Sequence, residues 1–360
     1  MLTDIFAYRY LTSNIWQTFS EVEKRLLNQL FGVVRDAIPY YDSNGKSIET
    51  NKVKWKALHD RLSRELGVDE LSSRYYSLTN KNHLGQSVPV SGFFSWDYAC
   101  EKFVKSEFSL ELNNPDRFMK ERISFIELAM RMRYEDLGVI YEDLGVINAN
   151  LPKALVEAKM RDSKSLRKTY PINSTADRLK AWNQTLNDTY SFQVEEINER
   201  FRRANVRLTL HNGFIQVSTD ELIEKSIAEP FWNIVSDPLW QNIDIDIKEA
   251  LDRRDSNHKD PALFAAKALE SAIKIVSDQR NLTSGNEKGA SNYIDNLVSK
   301  HNGRYIDTWE ADILKDYFRK VRNTLGHGPG SEPMPTLSIP QTDWAIETAM
   351  SWIRTLVRRL

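Results

Sequence analysis

The sequence predicts a mainly α-helical protein: an N-terminal helical domain carrying a small β-hairpin, then a four-helix bundle built from the last hundred or so residues. Three observations predict it. Helix-capping signatures recur just before apolar runs of helical spacing, one segment shows the two-residue period of a strand, and four helical segments follow a wholly polar stretch near residue 255. At 360 residues the chain exceeds the ~250–300 residues over which one core usually grows, so two domains are expected, 1–255 and 256–360.

Ser20-Glu21-Val22-Glu23 is a capping box, in which hydroxyl and carboxylate each satisfy an orphan backbone N–H. It opens a helix with Leu26, Leu27, Leu30, Val33 and Val34 on one face. A second helix carries Trp55, Leu58, Leu62 and Leu66 and stops at Gly67, which accepts the left-handed conformation past a helix end; the two helices are expected to pack together. From about 68 to 116, Asn, Gly, Ser and Pro recur, and the segment reads as loops and short extended pieces. Between Asp116 and about Leu137 a broad apolar pattern through Phe118, Ile123, Ile126, Ala129 and Met130 predicts a largely buried helix.

Tyr134 to Ile140 is repeated at once as Tyr141 to Ile147. Seven residues make nearly two turns, so the copy leaves downstream faces in phase, and it reads as a recent duplication tolerated at a surface. Ser174-Thr175-Ala176-Asp177 caps a long polar helix to about Ala204. Val206 to Val217 then alternates around His211-Asn212-Gly213, where Asn-Gly accepts the positive φ angles of a tight hairpin. Ser218-Thr219-Asp220-Glu221 caps another helix. The aromatic groups at Phe93–Tyr98 and Phe231–Trp240 read as core. The polar run Asp252 to Asp260 precedes Pro261, suited to a first helical turn, and the domain boundary is placed there. Four segments follow, about 261–279, 288–300, 308–325 and 341–359, the last with Ile346, Met350, Ile353 and Val357 in a stripe.

Composition narrows the function classes. A net charge of -1 gives no global basic field, so any RNA contact is local. No apolar stretch approaches the ~20 residues that span a bilayer, and no secretory leader is visible, so a soluble, cytoplasmic protein without membrane contact is expected. Cys100 is the one cysteine and the six His show no pair at helical spacing; neither a disulfide, a structural metal nor a cofactor is expected. Gly285 to Ser291 lacks the Gly-Lys-Ser/Thr ending of a phosphate-binding loop, and no Gly-x-Ser-x-Gly elbow or dinucleotide fingerprint occurs.

One constellation carries chemistry. The third C-terminal segment ends Val321-Arg322-Asn323-Thr324-Leu325-Gly326-His327-Gly328-Pro329, so Arg322, Asn323 and His327 gather at a helix C-terminus above a buried face of Leu314, Phe318, Val321 and Leu325. An imidazole that titrates near neutrality takes the proton from a ribose 2′-hydroxyl, a guanidinium clamps phosphate oxygens, and Asn323 orients either. Glu270 interrupts the apolar line Leu263, Ala266, Ile273; a carboxylate there needs a partner, for which Arg322 and Lys274 are the candidates. The alternative reading has Arg322 in a surface ion pair and His327 as a helix-end residue.

Arg322-Asn323-Thr324-Leu325-Gly326-His327 resembles the defining pattern of HEPN ribonucleases, an Arg, a polar residue and a His a few positions on, late in a four-helix domain. Together with the Ala268-Leu269-Glu270-Ser271 helix it resembles the C-terminal domain of abortive-infection proteins. Met1-Leu2-Thr3-Asp4-Ile5-Phe6 and the Leu58 to Gly67 segment are similar to the N-terminal domain of AbiJ-type phage-defence proteins. The resemblance implies a HEPN-type bundle and a metal-independent endoribonuclease that leaves a 2′,3′-cyclic phosphate. Its site would hold Arg322, Asn323 and His327 with Glu270 and Lys274 in support, doubled by homodimerisation through the C-terminal domain, and a phage or host protein would be the trigger. The alternative is a HEPN module that dimerises or binds without cutting.

Overall fold

A computed structural model describes residues 5–81, 87–109, 114–137, 175–218, 223–283, 285–323 and 336–360. The end of the first copy of the repeated heptad, all of the second, Leu325 and His327 lie outside the described residues, as do the predicted caps at Ser174 and at Thr219–Glu221. The chain is mainly helical and divides into two compact units, residues 5–7 with 11–217, and residues 8–10 with 218–360. The second unit begins upstream of the 255/256 boundary expected from the sequence.

α1 (Phe6–Arg9) is divided between the units after Ala7; the N-terminal unit continues with α2 (Glu21–Ala37), α3 (Glu49–Leu66), strands β1 (Tyr75–Lys81) and β2 (Ser87–Phe93), α4 (Trp96–Val104), α5 (115–137), α6 (Thr175–Arg203), and strands β3 (Leu208–His211) and β4 (Phe214–Val217). The Ser20/Glu23 capping box forms as the sequence requires, and Gly67 ends α3 at φ 69°. Phe31 of α2, Trp55 of α3 and Phe125 of α5 form an aromatic triad with ring centroids 5.8–6.1 Å apart, while Trp55 Nε1 donates to Ile38 O at 2.8 Å. α5 is buried on most of its circumference, which is why its charged residues come paired: Glu127, fully buried, lies 3.2 Å from Arg131.

The hairpin predicted around Asn212-Gly213 is β3–β4, with both turn residues at positive φ (46° and 76°). Its outward backbone groups are met by helix side chains. Asn198 of α6 accepts from Leu210 N–H at 2.7 Å and donates to Leu210 O at 3.1 Å, and Ile215 N–H donates to Glu127 at 2.9 Å. The segment from 68 to 116, read as loops and short extended pieces, holds two extended strands paired as a second antiparallel hairpin, β1–β2, and a helix that the reading lacked, α4. Its alternation was hidden because the hairpin faces water on both sides and needs no apolar period. That also corrects the aromatic reading: Phe231, Trp232 and Trp240 are core, but Phe93 and Tyr98 are exposed.

The C-terminal unit contains a π-turn (Glu224–Ala228), α7 (Glu229–Val235), α8 (Gln241–Asp255), α9 (Pro261–Gln279), α10 (Ala290–Val298), α11 (Thr308–Tyr317), a second π-turn (Phe318–Arg322) and α12 (Ile339–Val357). α9 is its centre. Ala262, Ala265, Ala266, Ala268 and Ala272 let α8, α10 and α12 approach closely, and Leu269, Ile273 and Val276 fill the space between. Of the polar run 252–260, Asp252–Asp255 end α8 and the remainder is the turn into α9, with Asn257 and Asp260 at positive φ. α12 buries Ile346, Met350 and Ile353 of the predicted stripe, but Val357 is only half-buried and Leu356 is buried in its place. No described helix is long and apolar enough to cross a membrane.

Candidate active site

The site is assembled from α9 and the end of α11. Asp307 and Glu310 form a capping box that starts α11, and Glu310 also receives Arg359 through Nη1 (3.1 Å) and Nη2 (2.7 Å). Hydrogen bonding from that guanidinium holds the Glu310 carboxyl below its ordinary value. Tyr317 is the last residue of α11 before the π-turn: its hydroxyl donates to Ala345 O at 2.9 Å, and burial pushes its phenol up.

The sequence predicts an α-helix through to 325; the α-helical pattern gives way after Tyr317 to a π-helical stretch and is resumed at Asn323, the last described residue of the segment. Over Phe318–Arg322 the turn widens, so that Asn323 N–H donates to Phe318 O, five residues back. Phe318 and Val321 stay buried as anchors. The widened turn resets the angular positions of the residues after it, so faces deduced from a 3.6-residue period do not carry past Tyr317. π-turns concentrate at functional sites because they cost helix regularity that packing alone does not require.

Glu270 is 7% exposed, on the buried side of α9 rather than at an edge. Both candidate partners reach it: Arg322 Nε lies 2.8 Å from Oε2 and Lys274 Nζ lies 2.9 Å from Oε1. Arg322 retains 40% of its side-chain exposure and Lys274 44%, so each cation is held on one side and open to water on the other. Asn323 is exposed beside them. The structure thus brings together Arg322, Lys274 and Glu270, with Asn323 adjoining, while His327 is four residues further along the chain, outside the described residues.

A cation fixed by a buried carboxylate and still wet is suited to receive a phosphate oxygen, because its orientation is set before the ligand arrives. Sequence reasoning passed over Tyr293, whose ring centroid lies 5.9 Å from Lys274 Nζ; that contact joins two helices and leaves no spacing signal. Cys100 offers no nucleophile, since burial pushes its thiol up. Among the described residues no three His, Cys, Asp or Glu side chains gather as a metal site needs.

Comparison with known proteins gives one family: residues 4–233 match the AbiJ N-terminal domain 4. No curated protein and no solved structure matches the chain.

Proposed function

Because the chain belongs to the AbiJ N-terminal domain 4 family, and so is an AbiJ-type abortive-infection protein, we propose that its C-terminal unit is a metal-independent endoribonuclease. The observation that carries this is the half-exposed Arg322, which lies on a π-turn, is held by buried Glu270, adjoins exposed Asn323 and stands five residues before His327 in the sequence.

The chemistry follows from those groups. The ribose 2′-oxygen attacks phosphorus and the bond to the 5′-oxygen breaks, giving a 2′,3′-cyclic phosphate. The His327 imidazole accepts the 2′-hydroxyl proton, or in protonated form supplies one to the leaving 5′-oxygen. Arg322 meets the negative charge that builds on the non-bridging oxygens, and Lys274 adds to the positive potential. Asn323 orients the phosphate or the imidazole. One imidazole per site serves one of the two proton transfers well; a homodimer that faces two such sites across one cleft supplies both. The N-terminal unit then restrains or triggers the nuclease in response to a phage or host protein.

The test is direct. Purified protein is incubated with total RNA and the new ends are sequenced, with Arg322→Ala and His327→Ala alongside. Both variants are expected to lose at least ~100-fold in cleavage, the usual cost of removing a charge-stabilising group or general base, and to stay folded; cleavage is expected to persist in chelator. Variants that cut as well as the parent would refute the site. A second reading has one observation in its favour: Glu270 already neutralises Arg322, as in a purely structural pair. In that case the unit binds or dimerises without cutting, and RNA stays intact at enzyme excess.

A further inference from the structure

The base of the β1–β2 hairpin carries chemistry that the C-terminal site does not use. Tyr75 and Phe93 are directly opposite in the ladder, 5.7 Å apart between ring centroids, and are 56% and 69% exposed. Two-stranded hairpins are marginal by themselves, yet this one is locked where the rings sit. Phe94 N–H donates to Arg74 O at 2.8 Å, Arg74 Nε and Nη2 both donate to Phe94 O at 3.0 Å, and the guanidinium lies 3.5 Å from the Trp96 ring centroid. The two rings are therefore exposed and held in place.

The same face continues through Ser77 opposite Ser91 and Thr79 opposite Pro89, small and largely hydroxylic side chains. Behind it Phe94 packs between Tyr76 (4.7 Å) and Tyr98 (4.5 Å), with exposed Lys102 Nζ 5.3 Å from its ring. Charge points the same way. Acidic residues number 50 in the chain, but none occurs from Tyr75 to Trp96, where Lys81 and His83 are the ionisable cations. Three flanking carboxylates are engaged: Glu70 accepts Arg74 N–H at 3.1 Å, Glu101 pairs with Lys105 at 2.6 Å, and Asp60 pairs with Lys56 at 2.6 Å, while Asp97, directly after Trp96, has a buried Oδ1 and Asp69 is exposed.

We propose that this hairpin base is a platform for single-stranded RNA, with Tyr75 and Phe93 stacking on unpaired bases and Arg74 and Lys102 supplying positive potential for the phosphates. Flat rings, hydroxyls and cations, with no carboxylate within the hairpin itself, are the complement of an unpaired polyanion: stacking accepts any base, and the charge follows the backbone. The aliphatic face of Leu78, Val88 and Val90, also exposed, is the feature a protein partner would use instead. The proposal is independent of the cleavage reading, because binding is measured on an oligonucleotide that lacks a free 2′-hydroxyl.

The experiment is fluorescence anisotropy of the full chain with a labelled 2′-O-methyl oligouridylate of roughly 15 nucleotides, near the upper site size of a single binding fold. The parent is expected to bind the single strand in preference to the matching duplex. Tyr75→Ala and Phe93→Ala are expected to weaken binding about tenfold each, Phe93→Tyr to keep it, and Lys102→Gln to lower the salt dependence by about one phosphate contact. If an alanine variant unfolds, Phe93→Leu retains apolar bulk without a ring and should show the same loss. Failure of the parent to bind, or equal affinity in folded Phe93→Leu, overturns the platform and leaves the surface to a protein partner.

Discussion

Glu270 shows how much one carboxylate constrains when it is buried. It sits on the apolar side of α9, where an unpaired charge would be expelled or protonated, and two cations from different stretches of chain converge on it. In the proposed nuclease its work is to aim Arg322. Glu270→Gln keeps the shape but drops the charge, so cleavage should fall about tenfold while stability falls only ~1 kcal/mol, since both cations are partly solvated. The decisive measurement is a double-mutant cycle with Arg322→Lys. If Glu270 acts through Arg322 the losses do not multiply; if they do, the positioning role is wrong.

At the scale of elements, the two hairpins answer the same problem differently. β3–β4 has its outward backbone groups satisfied by Asn198 and Glu127, and its turn sits against α5. Gly213 is what permits that approach. Its φ is +76°, and a Cβ there would lie 2.5 Å from Arg131 Cα, a backbone atom that cannot swing aside. Gly213→Ala should therefore cost roughly 2–4 kcal/mol, combining left-handed strain with overpacking. Urea unfolding checks it, and a loss below ~0.5 kcal/mol would mean that α5 and the turn can separate without cost. The β1–β2 hairpin has no such cover on its apolar residues, which is why it suits binding and β3–β4 suits structure.

At the scale of the whole molecule, the chain's beginning belongs in part to its end. Residues 8–10 group with the C-terminal unit: Arg9 is almost fully buried with Nε 3.6 Å from Asp252, and the Tyr10 hydroxyl donates to Asp255 at 2.5 Å. Both acids lie at the end of α8, in the polar run where the sequence places the domain boundary. Arg9→Ala leaves a buried carboxylate short of a cation, a change that costs about 3 kcal/mol in comparable buried pairs. Hydrogen exchange in α8 should rise accordingly; unchanged protection there would show that the first residues do not support this unit.

Features encoded within a few adjacent residues were legible from the sequence: the Ser20/Glu23 box, the Gly67 stop, the Asn212-Gly213 turn, and the requirement that Glu270 find a cation. Each is a local demand of backbone geometry or of burying a charge, so neighbouring residue types determine it. Three features were decided by the fold alone: the π-turn at Phe318–Arg322, the water-facing β1–β2 hairpin, and the docking of Arg9 on α8. A widened turn is selected by what its flanking residues pack against, a hairpin exposed on both faces has no hydrophobic period, and a buried ion pair between residues more than two hundred positions apart has no spacing to read. In each case the free energy lies in contacts between distant segments, and those exist only once the chain has folded.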